Sequence, residues 1–366
     1  MPAKELELIQ RIRRSAARSS AQLVKGIGDD CAVLALPRGH ELLVTTDFTL
    51  EDVHFCRKWH PPDAVGHRCL TRGLSDIAAM GGTPRSAFLS LALPHDLPQR
   101  WVDEFLRGFL KLARKYSVPL AGGDTAQSPT GILADIMVIG SVPTGTAILR
   151  STARVGDIIY VSGTLGSSVA TLHELRDGKN PKPAKHPRHF YPDPRIALGK
   201  HLREKKLATA MIDTSDGLST DLRHICDESS VGAVIDAAAL PALPGDEGLK
   251  FALHGGEDYE LLFAAPPNRR IPAMIAGTTI TRIGEITRSR KIKLRTPDGK
   301  SHPLPPGGWQ HFAYLSPGAA LFADSMVNSA SGFRPISLRA FRVLRGCFCL
   351  SNPIRVLRAI HGCHGF

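Results

Sequence analysis

The stretch Met211-Ile212-Asp213-Thr214-Ser215-Asp216-Gly217 decides how the rest of this chain is interpreted. It continues an apolar run that predicts a buried strand, and a helical pattern over Leu218–Glu228 follows it. The turn between them would place two carboxylates, a serine hydroxyl and free N–H groups at a strand end, where ligands bind in open α/β folds. The alternative is that Asp213 is an ordinary turn residue and that Asp216 caps the helix.

Acidic residues follow apolar strands or glycine turns at several other points of the chain. One or two such residues would be turn formers, but half a dozen on similar elements predict a shared pocket. So many carboxylates would repel one another unless divalent cations lay among them, and all-oxygen ligands favour Mg²⁺ over zinc. The residues concerned are Asp29, Asp30, Asp47, Asp76, Asp124, Asp213 and Asp216.

The composition is that of an ordinary globular protein. The chain has 366 residues, of which 43% are hydrophobic and 22% charged, enough for one large core or two medium ones. No apolar run reaches the roughly 20 residues of a membrane span. Residues 1–18 alternate charged and apolar residues, which does not resemble a secretory signal. With seven scattered cysteines and no zinc-type spacing, we predict a reduced, cytoplasmic protein.

The net charge of +12 raises the alternative of a nucleic-acid-binding protein. Residues 316–366 hold six arginines and one aspartate, so five of the twelve charges lie in this tail. The others are spread along the chain without interleaved aromatic residues, so we expect no nucleic-acid partner. We interpret the tail as a basic appendage, for which disorder and a membrane-surface or partner contact both stay open.

The pattern of elements predicts an α/β protein with two domains. Asp63–Met80 and Arg100–Tyr116 have helical periodicity, and Glu41–Val44 is predicted as a strand that ends in Thr45-Thr46-Asp47. Arg150–Gly156 is predicted to cross between the domains. The predicted boundaries are residues 1–150 for an N-terminal domain, 151–315 for a C-terminal domain, and 316–366 for the tail.

The usual phosphate-binding signatures are missing. The chain has no G-x-x-x-x-G-K-[ST] loop, no protein-kinase glycine loop with V-A-I-K, and no dinucleotide fingerprint. If the protein handles ATP, metal ions held by aspartates must replace the lysine of those loops. Arg150 is the best candidate cation near a motif, and the alternative is a solvated arginine at the domain boundary.

Taken together, these motifs resemble the thiamine-monophosphate kinase family, within the aminoimidazole-ribonucleotide-synthetase-like ATP-binding superfamily. They occur in family order over about residues 5–315. The motifs are Gly26-Ile27-Gly28-Asp29-Asp30-Cys31-Ala32, Thr45-Thr46-Asp47, Val53-His54-Phe55, Leu74-Ser75-Asp76-Ile77-Ala78-Ala79-Met80-Gly81, Gly122-Gly123-Asp124-Thr125, Arg150-Ser151, Asp213-Thr214-Ser215-Asp216-Gly217-Leu218, Gly255-Gly256-Glu257-Asp258-Tyr259-Glu260-Leu261 and Gly308-Trp309-Gln310-His311-Phe312.

The resemblance implies a fold, a reaction and a set of site residues. The fold is two α/β domains, of which the N-terminal one (residues 1–150) binds ATP and Mg²⁺ and has a sheet that pairs across a homodimer. The reaction is direct in-line phosphorylation of thiamine monophosphate by ATP, with several Mg²⁺ ions, and Asp124, Asp213 and Asp216 act in catalysis. The implied Mg²⁺ ligands are Asp30, Thr45, Thr46, Asp47, Asp76, Asp124, Asp213 and Asp216; the ATP contacts are Gly123, Asp124, Arg150, Ser215 and Tyr116; the acceptor contacts are His54, Glu257 and Trp309.

Several alternatives remain open at this point. Taken singly, His54, Glu257 and Trp309 would be a loop histidine, a turn glutamate and a core tryptophan. Phe48-Thr49-Leu50-Glu51-Asp52 departs from the Thr-Leu-Val-Glu-Gly usual in the family, and the tail has no family counterpart. The nearest rival is a superfamily enzyme that uses ATP to activate a carbonyl oxygen. Selenophosphate synthesis is disfavoured because no reactive cysteine lies near the N-terminus.

Overall fold

The computed structural model describes residues 5–16, 23–27 and 31–311. The predicted ligand Asp30 and the tail 316–366 lie outside the described residues, so their predictions stay as they are. Within the described part of the chain, no helix is both long enough and apolar enough to cross a bilayer.

Helices and strands alternate along the described residues. The α-helices are α1 (Glu5–Ala16), α2 (Pro62–Ala79), α3 (Gln99–Lys115), α4 (Ser167–Arg176), α5 (Pro187–Phe190), α6 (Ile196–Glu204), α7 (Leu218–Glu228) and α8 (Asp246–His254). The strands are β1 (Leu23–Lys25), β2 (Val33–Leu34), β3 (His40–Leu50), β4 (Thr83–Pro94), β5 (Leu120–Gly122), β6 (Thr125–Ser128), β7 (Leu133–Pro143), β8 (Ile158–Ser162), β9 (Ala210–Asp213), β10 (Gly232–Asp236), β11 (Leu261–Ala265), β12 (Met274–Ile275), β13 (Thr278–Thr287), β14 (Ile292–Arg295) and β15 (Ser301–Pro303).

The first large sheet has the strand order β3-β7-β4-β5, with β6 also paired to β4. Strand β3 pairs antiparallel with β7 over its whole length. Its residues alternate between two faces because successive side chains of a strand point in opposite directions. Leu43 and Thr49 are buried on the inner face, whereas Val44 and Phe48 are more than half exposed on the outer face.

The predicted end of β3 was wrong. The sequence placed Thr45-Thr46-Asp47 after a strand that stops at Val44, but β3 continues to Leu50. The continuation contains three threonines and a phenylalanine, which favour strands, and β7 supplies a partner for every residue. The three motif residues therefore lie inside a strand and cannot all point to the same face.

The second large sheet has the order β15-β14-β10-β13-β8-β11-β9, with β12 beside β13. Strand β11 lies between β8 and β9 and pairs antiparallel with both. All five of its residues are buried, as expected for a strand that is covered on both faces. Strand β9 is likewise buried throughout.

Helix α2 connects the two sheets. It packs on β3 and β7 of the first sheet, on β9 of the second, and on α3 and α6. Helices α2 and α3 pack very closely against each other. A Cβ on Gly66 would lie 2.0 Å from the Phe105 carbonyl oxygen, and one on Gly108 would lie 1.8 Å from that of Asp63. A larger residue at either position would push the helices apart.

Two apolar cores follow from this arrangement. The first contains the inner face of the first sheet, α2 and α3, and it extends to Met211 and Phe263 on one face of the second sheet. The second contains Ile212 and Leu262 on the opposite face, under α7 and α8. The mixed α/β organisation predicted from the sequence is confirmed.

A buried pair of histidines lies beside α2 and α5. His60 and His189 are 3% and 2% exposed, and their Nε2 atoms are 3.0 Å apart. His189 Nδ1 is 3.0 Å from the Ser168 hydroxyl. Burial and the nearby Arg68 lower the pKa of His60 to about 4 and that of His189 to about 2.

This pair should make stability fall in mild acid. The unfolded chain takes up protons on both histidines below about pH 6.5, whereas the folded chain stays neutral there until about pH 4. The free energy of unfolding should therefore be unaffected above pH 6.5 and fall below it, by about 2 kcal/mol per histidine between pH 6.5 and 5. Denaturant unfolding at several pH values measures this slope.

The double variant His60→Asn, His189→Gln should have a shallower slope than the wild type over that range. His95→Gln is the control because His95 is exposed. Equal slopes for the double variant and the wild type would contradict the assignment.

Candidate functional site

The turn between β9 and α7 carries the quoted motif. Asp213 is the last residue of β9 and is 3% exposed, and Asp216 is half-buried in the turn that follows. Gly217 has a φ of 113° and precedes α7, and a Cβ there would lie 2.8 Å from the His254 carbonyl carbon. The chain can therefore turn this sharply only with glycine at this position.

The helix start is capped from inside the helix. Asp221, which is 1% exposed, accepts hydrogen bonds from the backbone N–H groups of Gly217 (3.0 Å) and Asp216 (3.3 Å). Gly217 stands at the N-cap position, so the alternative that Asp216 is the cap was wrong. Burial raises the pKa of Asp221 well above its usual range, and the nearby Asp213 and Asp216 raise it further.

The carboxylates of Asp76 on α2 and Asp213 on β9 lie close together. Ser75 donates a hydrogen bond of 2.6 Å to Asp213 Oδ2, and Thr45 donates one of 2.5 Å to Asp76 Oδ2. Burial and the negative charge of Asp76 both raise the pKa of Asp213. Burial also raises the pKa of Asp76, while Thr45, Arg150 and Arg72 lower it. The structure thus brings Thr45, Asp76 and Asp213 close together, and their role as metal ligands stays a prediction.

The positive charge of Arg150 acts on both of these carboxylates. It begins a short 3₁₀ helix, Arg150–Thr152, and its carbonyl oxygen accepts a 2.7 Å hydrogen bond from Ser229 at the end of α7. Its charge lowers the pKa of both Asp76 and Asp213. The position suits the predicted role of a cation near the transferred phosphate.

Glu257 lies in a loop that pairs with the β9–α7 turn. Its backbone N–H donates to the Ser215 carbonyl (2.8 Å), and its φ is 64°. Its carboxylate accepts hydrogen bonds from Arg68 (2.5 Å) and Arg72 (3.3 Å). Burial alone would raise the pKa of Glu257, but the two arginines outweigh it and lower the pKa to about 2.

Arg68 and Arg72 were missed from the sequence. Arg72 Nε lies 3.0 Å from Asp47 Oδ1, so this side chain links the predicted metal ligand Asp47 to Glu257. Arg68 is 3% exposed and also donates to the His54 carbonyl oxygen. Their spacing could have indicated them, because residues 68, 72 and 76 are four positions apart and lie on one face of the helix.

His54 is held in the loop after β3. Its Nδ1 accepts a 3.0 Å hydrogen bond from the Leu50 N–H, which requires that nitrogen to be unprotonated. In the same loop Asp52 has a φ of 61°, a left-handed conformation that glycine adopts without steric cost. Asp52 therefore adds a charge at a position whose backbone conformation favours glycine.

Trp309 is not a core tryptophan, because half of it is exposed. Its backbone N–H donates a 2.9 Å hydrogen bond to the Asp216 carbonyl oxygen. The preceding Gly307 and Gly308 donate to the hydroxyls of Ser219 and Thr220 at the start of α7. The segment therefore lies directly against the β9–α7 turn, as the acceptor prediction requires.

Some predicted residues are not joined to this group by any contact among the described residues. Thr46 is exposed on the outer face of β3, and Asp124 is exposed between β5 and β6, where it accepts a hydrogen bond from the Thr125 N–H (2.8 Å). The Tyr116 hydroxyl donates to Asp193 and the Pro194 carbonyl. Gly123 has a φ of 148° next to Asp124.

The seven implied metal ligands that the structure describes do not form one cluster. Among residues 5–16, 23–27 and 31–311, no group of three or more His, Cys, Asp or Glu is placed to hold a single metal ion. Asp47, Asp76 and Asp213 each face a hydroxyl or a guanidinium in this chain. The donor set is nonetheless entirely oxygen, the type that Mg²⁺ prefers.

Comparison with known proteins identifies the family. The chain matches the models of AIR synthase related protein over both parts, the N-terminal domain at residues 28–142 and the C-terminal domain at residues 154–296. Thiamine-monophosphate kinase of Escherichia coli K12 is 38% identical over 86% of this chain and 99% of its own length. That of Bacillus subtilis 168 is 35% identical over 84% and 99%.

Solved structures have the same fold. Thiamine-monophosphate kinase from Stenotrophomonas maltophilia K279a superposes with a TM-score of 0.72 at 34% identity, covering 82% of this chain and 98% of that one. AaThiL complexed with AMPPCP and TMP has a TM-score of 0.68 at 34% identity, covering 85% and 99%. A HypE structure with ATP, at 22% identity and a TM-score of 0.70, shows the fold alone.

These matches span nearly the whole length of the relatives and include both sheets and the β9–α7 turn described above. The chain belongs to the thiamine-monophosphate kinase family of the AIR synthase related proteins, and it has the two-domain α/β fold of that family.

Proposed function

We propose that this protein transfers the γ-phosphoryl group of ATP directly to the phosphate of thiamine monophosphate, giving thiamine diphosphate and ADP. One structural observation supports the proposal in addition to family membership. The half-buried Asp76 of α2 and the buried Asp213 of β9 interact electrostatically with Arg150, and the Glu257 and Trp309 segments both hydrogen-bond to the β9–α7 turn. Groups for a nucleotide and groups for an acceptor therefore lie around one turn.

The chemistry fits the residues that are present. The attacking atom is a phosphate oxygen that is already anionic at neutral pH, so no side chain has to remove a proton. The work of the site is to hold two anionic groups in line and to reduce their repulsion. Arg150 and the Arg68–Arg72 pair supply fixed positive charge for this purpose.

Magnesium is part of this proposal. The side chains that would hold it in this chain are Thr45, Asp47, Asp76, Asp213 and Asp216, with Asp30 outside the described residues. When bound, Mg²⁺ would neutralise charge on the phosphate oxygens. Burial of Asp76 and Asp213 with raised pKa values supports this, since buried carboxylates need a compensating cation.

The acceptor would contact His54, Glu257 and Trp309. The half-exposed Trp309 offers an aromatic face for a flat heterocycle, and Glu257 is kept ionised by its arginines. An anionic carboxylate suits a cationic acceptor such as the thiazolium ring of thiamine. Tyr116, Gly123, Asp124, Arg150 and Ser215 would contact ATP.

Product analysis tests the reaction. Purified protein is incubated with ATP, Mg²⁺ and either thiamine monophosphate or thiamine, and the products are separated by chromatography. We expect thiamine diphosphate only from the monophosphate, and none when EDTA removes the metal. Binding of ATP without formation of thiamine diphosphate would refute the acceptor assignment and leave the family assignment intact.

Asp216→Asn should abolish activity without unfolding the protein. The N–H groups at the helix start are capped by Asp221, so the change removes a charge rather than a cap. We expect kcat to fall at least about a hundredfold while the thermal midpoint stays within a few degrees of that of the wild type.

Asp227→Asn is the matched control, since Asp227 lies on α7, the helix that follows this turn, with 65% of its side chain exposed. It should retain wild-type activity. If Asp216→Asn kept most of its rate with saturating Mg²⁺, Asp216 would have no role as a ligand.

A homodimer formed through the first sheet completes the proposal. Leu42, Val44 and Phe48 are each more than half exposed on the outer face of β3. An apolar sheet face of this kind needs a covering partner. Asp47 and Asp124 are separated by β7 and β4, which at ordinary strand spacing is about 14 Å, too far for one metal site within a chain. Asp124 would therefore act on a site of the other subunit.

Mixed dimers test this arrangement. Asp124→Asn and Asp213→Asn are inactive alone, but co-expressed they should recover about a quarter of wild-type activity, because half of the dimers then contain one intact site. Co-expressed Asp213→Asn and Asp216→Asn should stay inactive, since both changes affect the same chain's part of the site. A monomer by sedimentation, or no recovery in the first mixture, would overturn the proposal.

A cytoplasmic location also belongs to the proposal. The described cysteines Cys31, Cys56, Cys69 and Cys226 are free, as expected in a reducing compartment.

A further inference from the structure

A second cavity, outside the kinase site, lies where β8 ends and β13 begins. Its volume is about 330 Å³, the size of a small-ligand pocket. We call it the Arg188 pocket; its polar lining consists of Thr164, Arg188, Arg195, Thr278, Thr279 and Thr281. Two guanidinium groups and four hydroxyls therefore surround one space.

The two arginines are fixed by a carboxylate that is completely buried. Glu260 is 0% exposed and accepts hydrogen bonds from Arg195 Nε (2.7 Å) and Nη2 (2.5 Å), from Arg188 Nη1 (2.9 Å) and from the Ser162 hydroxyl (2.5 Å). A Cβ on Gly163 would lie 2.1 Å from Glu260 Oε1, so glycine is needed for the carboxylate to fit. The guanidinium groups are thus oriented in advance rather than free to rotate.

The two arginines keep donors that Glu260 does not use. They share this one carboxylate through direct ion pairs, while Asp193 acts on Arg195 and Asp258 on Arg188 electrostatically, and the Arg188 side chain is 40% exposed. Arg188 Nη2 and Arg195 Nη1 donate to no protein atom in the described part of the chain, and the four threonine hydroxyls likewise have no hydrogen-bond partner there. Guanidinium and hydroxyl donors without acceptors around one cavity are the pattern of an oxyanion site.

We propose that the Arg188 pocket binds the phosphate group of a small phosphorylated molecule. Planar guanidinium groups and hydroxyls match the donor needs of a phosphate, and the volume exceeds that of a phosphate alone. Inorganic phosphate, a nucleotide and a thiamine phosphate all share this chemistry. The site does not depend on the proposed kinase reaction, because binding there needs no turnover.

The pocket is connected to the kinase site through the backbone. Glu260 exchanges hydrogen bonds with Thr214, whose N–H donates to the Glu260 carbonyl (2.8 Å) and whose hydroxyl accepts from the Glu260 N–H (3.1 Å). Thr214 stands between Asp213 and Ser215. A ligand that binds Arg188 and Arg195 would thus act on Glu260, whose backbone is hydrogen-bonded to the turn of the proposed kinase site.

Calorimetric titration tests the site. Wild type, Arg188→Ala and Arg295→Ala are titrated with inorganic phosphate, ADP and thiamine diphosphate in EDTA. Arg295 is the matched control because its side chain is 42% exposed and also ion-paired. We expect Arg188→Ala to weaken phosphate binding at least tenfold and Arg295→Ala to leave it unchanged. Phosphate binding that is the same in the wild type and Arg188→Ala would overturn the proposal.

The three titrants distinguish the sources of the phosphate. A tighter fit for ADP or for thiamine diphosphate than for inorganic phosphate, lost again in Arg188→Ala, identifies that compound as the occupant. If Arg188→Ala fails to fold, the double variant Thr279→Val, Thr281→Val replaces it, with the same tenfold loss expected. A crystal soaked with phosphate should show the ion at Arg188 and Arg195, and an empty pocket there would refute the site.

Discussion

The structure of this site depends on two neighbouring carboxylates, the half-buried Asp76 and the buried Asp213. Shielding from water raises the pKa of both, and the charge of Asp76 raises the pKa of Asp213 further. Asp76 is carried by α2 and Asp213 by β9, so they meet only if the second sheet packs against α2, and Thr45 reaches Asp76 only if the first sheet does so too. Ser75 and Thr45 each donate a hydrogen bond to one of them, which fixes their orientation. The site is therefore a property of the packing between the sheets rather than of either sheet alone.

Arg68 and Arg72 of α2 provide positive charge near the residues proposed to contact the acceptor. Arg72 contacts Asp47 and Glu257, and Arg68 contacts Glu257 and the backbone near His54. Burial would disfavour ionised groups, but paired opposite charges offset that cost, which is why Glu257 has a low pKa while Asp213 has a raised one. The carboxylates of this site thus differ in pKa. Glu257 is already ion-paired with two arginines, whereas Asp76 and Asp213 could take a further cation.

Local pattern predicted the elements well where the pattern was amphipathic and its ends were marked. Helix α7 covers Leu218–Glu228, as the sequence indicated, and the β9 strand delivers Asp213 at its end. The end of β3 was wrong because a strand continues as long as a neighbour pairs with it, and that neighbour, β7, is about 90 residues away in sequence. Helix α8 was not predicted, since its short segment follows a proline-rich stretch without a clear cap.

The site residues divide in the same way. The turn carboxylates could be found because chain order alone places them at a strand end. The capping role of Asp221 and the ion pairs of Arg68 and Arg72 depend on partners from elsewhere in the fold, so only their helical spacing hinted at them. Resemblance to a family supplied the remaining residues, but it gives an order of motifs and no geometry. The domain boundary near residue 150, the role of Asp30 and the nature of the tail remain predictions.

The geometry of β3 adds a constraint that an order of motifs cannot express. Thr45, Thr46 and Asp47 are consecutive, and a strand has a period of two, so their side chains cannot all enter one pocket. Thr45 and Asp47 face α2, and Thr46 faces outward beside the exposed Val44 and Phe48. The side chains of these three consecutive predicted ligands therefore lie on two opposite faces of the strand. In the proposed homodimer, the partner that covers the apolar outer face of β3 would also cover the side chain of Thr46, so one arrangement would account for both the exposed apolar residues and the outward-facing threonine.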